Sequence, residues 1–165
     1  MNDTQNPQKT SDDRLPGYVR YFQAQSMQMP EALHRALAAE LSSRFSPSYL
    51  RSWTRLLGAQ WAQQASEAYA HAEDLGALND ALNQYLAHAR WGWAQLSESE
   101  RGLTVNHQGA PLPQGLGIEN LCWTSGLLEG FYETVFRHFG AGDDLKFNLA
   151  HASQDGFDLH FQLGS

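Results

Sequence analysis

Residues 119–140 read ENLCWTSGLLEGFYETVFRHFG, and this stretch decides the fold because it carries the strongest helical pattern in the chain. Its apolar residues recur every three or four positions and form two adjacent rows. The rows are Leu127, Phe131, Val135 and Phe139, and beside them Leu128, Tyr132 and Phe136. Gly140 suits the position just after a helix C-terminus. The pattern predicts one long helix at the centre of the fold.

The C-terminal stretch DDLKFNLAHASQDGFDLHFQL predicts a β-hairpin, since apolar and polar residues alternate on both sides of SQDG. A three-residue loop, 154–156, pairs Leu149 with Phe161 and keeps both apolar rows on one face. A two-residue loop would set His151 opposite His160 and split those rows onto different faces. We therefore expect Leu149 to pair with Phe161 and the two histidines to be separated.

Three amphipathic helices are predicted before these elements, at residues 29–45, 46–73 and 78–89. Ser46 and Pro47 suit the cap and the first position of the second helix. Each helix places an apolar row on one face, and because this is more amphipathic surface than one small sheet can cover, we expect a homo-oligomer larger than a dimer to form through the helical layer. The rows are Leu33, Leu37, Leu41 and Phe45; Leu50, Trp53, Leu57 and Trp61; and Leu78, Leu82, Tyr85, Leu86 and Ala89.

A hairpin with strands near 91–96 and 103–107 follows the third helix, and the loop APLPQGLG at 110–117 closes it. The element order is therefore three helices, a hairpin, a helix and a second hairpin. Helices segregated from a largely antiparallel sheet define the α+β class. The sequence predicts an α+β fold of order ααα-ββ-α-ββ.

The amino-terminal end differs from the rest of the chain in composition. Residues 1–13 contain no apolar residue after Met1, so they cannot bury enough surface to offset the entropy of ordering. We expect a disordered tail over 1–13 and a single domain over 14–165. Tyr18, Val19 and Phe22 follow a helical spacing and predict an arm that docks on a neighbour or on its own core.

Charge and composition narrow the partners and the compartment. The chain has 11 Lys and Arg against 18 Asp and Glu, a net charge of −7 that argues against nucleic acid as a partner. Cys122 is its single cysteine, which excludes an intrachain disulfide. We find no signal-peptide pattern and no apolar run of about 18 residues, so we expect no membrane insertion and a cytoplasmic location.

Motifs for catalysis and for cofactors are not apparent. Ser125 lacks the first glycine of a G-x-S-x-G elbow, and Cys122 has no charged neighbour nearer than Glu119, which favours a buried, inert thiol. Gly115 and Gly117 lie in a loop and not in a nucleotide-binding turn. The seven histidines show no metal-ligand spacing. We expect no catalytic residues, no metal and no cofactor, and hence not an enzyme.

Two sets of residues predict contact surfaces. Gly126 and Gly130 lie four positions apart on the central helix, which suits close approach of another element to this face, together with Leu127 and Phe131. The partner is either the sheet of the same chain or a second subunit. The tryptophans Trp91 and Trp93 either stack on sugar rings or partners, or are buried in the core.

Several segments resemble one known family. They are RWGWAQL at 90–96, the following GLTVNH with a nearby PLP, and LLEGFYETVF at 127–136, together with YVRYFQ through LAAEL near the start. These segments resemble the D subunit of bacterial cellulose synthase, over most of residues 18–163.

The resemblance implies a non-catalytic accessory subunit that organises cellulose synthase complexes and promotes ordered cellulose export, in exopolysaccharide secretion and biofilm formation. It implies pairing and assembly into an eight-membered ring, a tetramer of dimers, with amino-terminal segments lining the lumen. Implied partners are other synthase components, a proline-rich companion and the glucan chain. The family has been placed in the periplasm and in the cytosol, and we expect the cytosolic side of the inner membrane.

A competing hypothesis comes from the element order alone. Three helices, a hairpin, a helix and a second hairpin can also enclose an apolar ligand, as in α+β sensor domains of the heme or vinyl-binding type. An open apolar cavity with an inward-facing histidine would favour such a small-molecule sensor regulating polysaccharide synthesis. Packed aromatic residues would favour the scaffold.

Overall fold

The computed structural model describes residues 30–99, 102–142 and 146–164, and it confirms the α+β class. One four-stranded antiparallel sheet carries helices on one face. The predicted tail, 1–13, and the predicted arm with Tyr18, Val19 and Phe22 lie outside the described residues.

The helices follow the predicted order, with short additions. The helices are α1 (Glu31–Arg44), α2 (Pro47–Gln64), α3 (Ser66–Tyr69), α4 (Leu75–Ala89), α5 (Leu112–Leu116), α6 (Leu121–Thr124) and α7 (Gly126–His138). The strands are β1 (Trp93–Ser99), β2 (Gly102–Gln108), β3 (Lys146–Ala152) and β4 (Leu159–Gly164).

Local chemistry explains where the N-terminal helices begin and end. Ser46 caps α2, its side chain accepting a hydrogen bond from the backbone N–H of Tyr49, with Pro47 at the first position as predicted. Asp74 caps α4 in the same way. The predicted helix over 46–73 is wrong in length, since α2 ends at Gln64 and the short α3 follows a turn at Ala65.

Two further expectations need correction. The stretch 119–140 is not one helix: a 3-10 turn at Ile118–Asn120 leads into α6, and α7 begins only after Ser125. The predicted loop at 110–117 contains α5, which Pro111 and the buried Pro113 start with their fixed backbone angles. Gly140, with a positive φ of 88°, follows the end of α7 as expected.

The sheet has the strand order β1-β2-β4-β3. Leu149 pairs with Phe161, which confirms the register derived from the apolar rows. The expected separation of the histidines is wrong, because a β-bulge between Leu149 and His151 shifts the register and sets His151 opposite His160. Because the bulge adds one residue to β3, the hairpin pairs Leu149 with Phe161 and also His151 with His160. A hairpin without a bulge could form only one of these two pairings.

Helix α7 lies at the centre of the core, as predicted. Phe131, Tyr132 and Val135 are fully buried, and the rings of Phe136 and Tyr132 contact those of Phe147 and Phe161 on the sheet. Against the sheet's first hairpin, α4 buries Leu78, Leu82 and Leu86, the core of its predicted row. Aromatic rings fill the space between α7 and the sheet.

One buried polar pair links β2 to α7. Nε2 of His107 lies 2.7 Å from the carbonyl oxygen of Trp91, so this nitrogen must carry the proton and donate. Nδ1 then accepts a hydrogen bond from the hydroxyl of Tyr132 at 2.6 Å. Burial lowers the pKa of His107 to about 4 and raises the pKa of Tyr132. The imidazole is therefore held neutral by its surroundings.

This neutral histidine makes stability depend on pH. The unfolded chain protonates His107 near pH 6.5 and the folded chain only near pH 4, so stability is lost as the pH falls through that window. The loss amounts to about 3 kcal/mol. We expect His107→Gln to flatten the pH dependence of the unfolding free energy measured by denaturant titration. The control His71→Gln, at an exposed position, should keep the wild-type slope; equal slopes for wild type and His107→Gln would contradict the assignment.

Candidate interaction surfaces

The closest helix contact in the described chain joins the backbones of α2 and α7. A Cβ atom on Gly130 would lie 2.0 Å from the carbonyl oxygen of Arg55, and one on Gly126 would lie 2.6 Å from that of Arg51. From the other side, a Cβ atom on Gly58 would lie 1.9 Å from the carbonyl oxygen of Leu127. Only glycine permits this approach, because any side chain would force the helices apart.

The predicted glycine face therefore packs within one chain, against α2 and not against the sheet. Gly126, Gly130 and Phe131 are buried, and Leu127 is half-buried at the edge of the contact. Gly58 completes the contact and was not among the predicted residues. The sequence pattern did not select it, because the buried row of α2, Leu50, Thr54, Gly58 and Ala62, is displaced by one position from most of the predicted apolar row.

An ion cluster lies beside this contact and ties α2 and α7 to β3. The fully buried carboxylate of Glu129 accepts hydrogen bonds from Nε of Arg51 at 3.0 Å, from Nε of Arg55 at 2.9 Å and from the backbone N–H of Leu149 at 2.9 Å. Burial alone would raise the pKa of Glu129, but these donors and the two guanidinium charges hold it below its ordinary value. The carboxylate is thus ionised and fully partnered.

The cluster continues to the edge strand. Arg55 also donates to the backbone oxygen of Phe147 and, at 3.0 Å, to Oδ1 of Asn148. Glu133 accepts the N–H of Phe147 at 3.0 Å, and burial raises the pKa of this carboxyl. The hydrogen bonds of these groups hold β3 to α7, so the ion cluster has a structural role.

A row of large apolar side chains stands exposed on α1 and α2, and we call it the helical stripe. Its members and their exposed fractions are Leu33 at 52%, Leu37 at 47%, Phe45 at 43%, Tyr49 at 58% and Trp53 at 42%. The described chain leaves much of the predicted apolar rows of these two helices uncovered, and α1 buries only Ala38. Periodicity identifies an apolar face but does not say whether the same chain covers it.

The stripe contains a shallow groove of about 180 Å³ where the two helices meet. Leu41, Phe45, Tyr49, Leu50 and Trp53 line it, and the rings of Phe45 and Tyr49 stack with centroids 5.2 Å apart. Contiguous apolar surface of this kind on a folded chain marks an interaction site.

The two predicted stacking tryptophans occupy different environments. Trp91 is half-buried and its ring lies 4.8 Å from that of Trp61, which packs on Phe131 in the core. Trp93 is 55% exposed, and its indole Nε1 donates to Oε1 of Gln108 at 2.7 Å. Of the pair, Trp93 is the one placed to contact another molecule.

In the described chain, the side chains that could bind a metal or act as nucleophiles do not cluster into a site. No cluster of three or more His, Cys, Asp or Glu side chains there could hold a metal ion. Cys122, expected to be buried, is exposed on α6 because its neighbour Trp123 takes the inward position. None of the helices in the described ranges combines the length and hydropathy needed to span a bilayer.

The described chain is thus an α+β protein whose notable sites are contact surfaces. The family model for the D subunit of cellulose synthase matches residues 18–162, most of the chain. The protein therefore belongs to the family of cellulose synthase D subunits and has a role in cellulose synthesis, which confirms the resemblance seen in the sequence. No curated protein sequence matches the chain.

Gly130→Ala tests the helix contact. The added methyl group would overlap the carbonyl of Arg55, so α2 and α7 must separate and the ion cluster beside them must loosen. We expect a loss of about 1–3 kcal/mol in unfolding free energy, measured by denaturant titration. Gly115→Ala in α5 is the matched control, because a Cβ there meets nothing within 4 Å. Equal stability of the two variants would refute the backbone contact.

Proposed function

We propose that this protein is a non-catalytic accessory subunit that forms a homo-oligomer and organises cellulose synthase complexes for ordered cellulose export. The observation that carries the proposal is the helical stripe, an exposed apolar surface on a chain whose family belongs to the synthase complex. A scaffold acts by raising the effective concentration of its partners and not by chemistry. The absence of a metal cluster from the described residues is compatible with that role.

The stripe is proposed to bind a second copy of the chain. In a symmetric dimer the same patch of each subunit contacts that of the other. The exposed apolar face of one copy can therefore be covered by the same face of a second copy. The predicted arm with Tyr18, Val19 and Phe22 precedes α1 in sequence and remains a proposed docking segment. Because this symmetric contact uses up the stripe in the dimer, the tetramer of dimers implied by the family resemblance needs a second, different contact.

The family resemblance also implies a proline-rich companion, which we propose binds as an extended polyproline segment outside the stripe, because the second copy covers the stripe. Other synthase components are further proposed partners. We place the assembly on the cytoplasmic side of the inner membrane, with the periplasm as the alternative location.

The sensor hypothesis requires an open apolar cavity near an inward-facing histidine. In the described chain, His107 is fully buried between Trp91 and Tyr132, and aromatic rings occupy the space beneath α7. Packed aromatic side chains are expected of the scaffold and an open cavity of the sensor, so this packing favours the scaffold function over the sensor function.

Charges placed in the stripe test the assembly. Leu37→Asp combined with Tyr49→Asp would bring two carboxylates into the proposed interface, so we expect a lower oligomer mass by light scattering. Both positions are about half exposed, so the unfolding free energy should change by no more than about 0.5 kcal/mol each. Gln84→Asp with Ala87→Asp, at exposed positions of α4, adds the same charge on a different helix and should keep the mass. An unchanged mass for the stripe variant would contradict the proposed interface.

Removal of the protein from synthase membranes tests the scaffold role. We expect the bond-forming rate per synthase molecule to persist and the amount or order of secreted fibres to fall, because positioning is lost and chemistry is not. Radiolabelled glucan synthesis in purified membranes measures the first quantity and fibre diffraction the second. If each glycosidic bond formed in vitro needs this chain, the scaffold role is wrong.

A further inference from the structure

Two histidines face each other on the C-terminal hairpin. His151 of β3 pairs with His160 of β4, although the alternation of apolar residues predicted that the two would be separated. The bulge between Leu149 and His151 produces this pairing, because it adds one residue to β3. A feature of the backbone therefore brings the two imidazoles together.

Both histidines lie on the face of the sheet that the helices leave open. Phe161 is fully buried and its ring contacts that of Tyr132 on α7, so alternation along β4 sends the neighbouring His160 to the opposite side. His151 shares that side, since directly opposite residues lie on one face. His151 is exposed and His160 is partly exposed. A dissolved ion can therefore reach both rings.

The spacing of a directly opposite pair suits chelation of one ion. Such residues have Cβ atoms about 5 Å apart. In a tetrahedral site, two nitrogens that each lie about 2.1 Å from a zinc ion are roughly 3.4 Å from each other. The two rings therefore need only a small inclination towards each other to share an ion, and rotation about the side-chain bonds supplies it.

Neither imidazole of the pair is engaged elsewhere. In the described part of the chain, no hydrogen bond or ion pair involves a ring nitrogen of His151 or His160. His107 is the contrast, because the carbonyl of Trp91 and the hydroxyl of Tyr132 occupy both its nitrogens. Imidazole is a ligand that zinc, copper and nickel ions all accept. The pair can thus bind such an ion without breaking an existing contact.

The remaining five histidines do not form a second pair of this kind. Each lies on a different part of the fold: His34 on α1, His71 after α3, His88 on α4, His107 on β2 and His138 on α7. Among the described residues, strand pairing sets only one pair of histidines opposite each other.

The charges of the hairpin favour a cation near this pair. From the start of β3 to the end of β4 the charged residues are Lys146, Asp155 and Asp158. Both carboxylates lie between His151 and His160 in sequence, whereas Lys146 lies at the far end of β3. The whole chain carries a net charge of −7. The summed field therefore raises the local concentration of cations.

We propose that His151 and His160 form a binding site for a divalent transition-metal ion of the kind that imidazole ligands prefer, such as Zn²⁺. Each histidine supplies one ring nitrogen, and water fills the other positions, because no cluster of three or more His, Cys, Asp or Glu exists among the described residues. The bound ion links β3 to β4 across the bulge. The site is separate from the helical stripe and does not rest on the proposed function.

Titration of the full chain with ZnCl₂ in a calorimeter tests the site, with protein prepared without a histidine tag. Two ligands supply about half of the binding free energy of a four-ligand zinc site, so we expect a dissociation constant of roughly 1–100 µM. His151→Gln and His160→Gln each remove one ligand and should weaken binding by about tenfold or more. His71→Gln, at an exposed position outside the hairpin, should bind as wild type does. Mg²⁺ prefers oxygen ligands and should not compete.

Two further measurements use the wild-type chain and so do not depend on the folding of a variant. Cu²⁺ binds nitrogen ligands more tightly than Zn²⁺, and the nitrogen hyperfine splitting in its electron paramagnetic resonance spectrum counts coordinated imidazoles. We expect two. Because the ion binds only the paired strands, ZnCl₂ at about ten times the dissociation constant should raise the melting temperature by about 3 °C or more.

The inference is overturned if the wild-type chain does not bind zinc, or if both glutamine substitutions leave zinc binding unchanged. A copper spectrum with fewer than two coordinated nitrogens overturns it as well. These outcomes leave the assembly proposal standing, since that proposal is tested by the oligomer mass of the stripe variant.

Discussion

The rest of the structure depends on the backbone contact between α2 and α7. Gly58, Gly126 and Gly130 let the two helices approach until carbonyl groups occupy the space of side chains. At that distance Arg51 and Arg55 reach across to Glu129 on α7, whose carboxylate also accepts the N–H of a β3 residue. The close approach of the two backbones thus sets the distance between α2 and α7. That distance in turn positions the ion cluster and attaches β3, the edge strand of the sheet.

Part of the fold was readable from the sequence because its signals are local. The rows of α7, the cap at Ser46 and the pairing of Leu149 with Phe161 follow from periodicity and turn length. The bulge before His151 was not readable, because a two-for-one pairing depends on both strands and leaves no pattern in either one.

The candidate sites likewise include residues that the sequence predicted and residues that it did not. Gly126 and Gly130 were identified as a close-approach face, but their partner Gly58 was not, since the partner of a contact lies far away in sequence. An excess of apolar helix surface was expected, but not which residues stay exposed, such as Leu37, because an apolar row looks the same whether its own chain or another molecule covers it. The order of the strands was likewise not readable, because the placement of β2 between β1 and β4 joins segments that lie far apart in sequence.

The bulge in β3 bears on how copies of this chain can join. β3 and β1 are the two edges of the sheet, and side chains of α2, α4 and α7 already bond backbone groups along both edges, at Phe147 and Leu149 of β3 and at Ala94 and Leu96 of β1. The register shift between Leu149 and His151 interrupts the regular spacing of those groups along β3. Growth of a continuous sheet from one copy of the chain to the next is thereby discouraged at that edge.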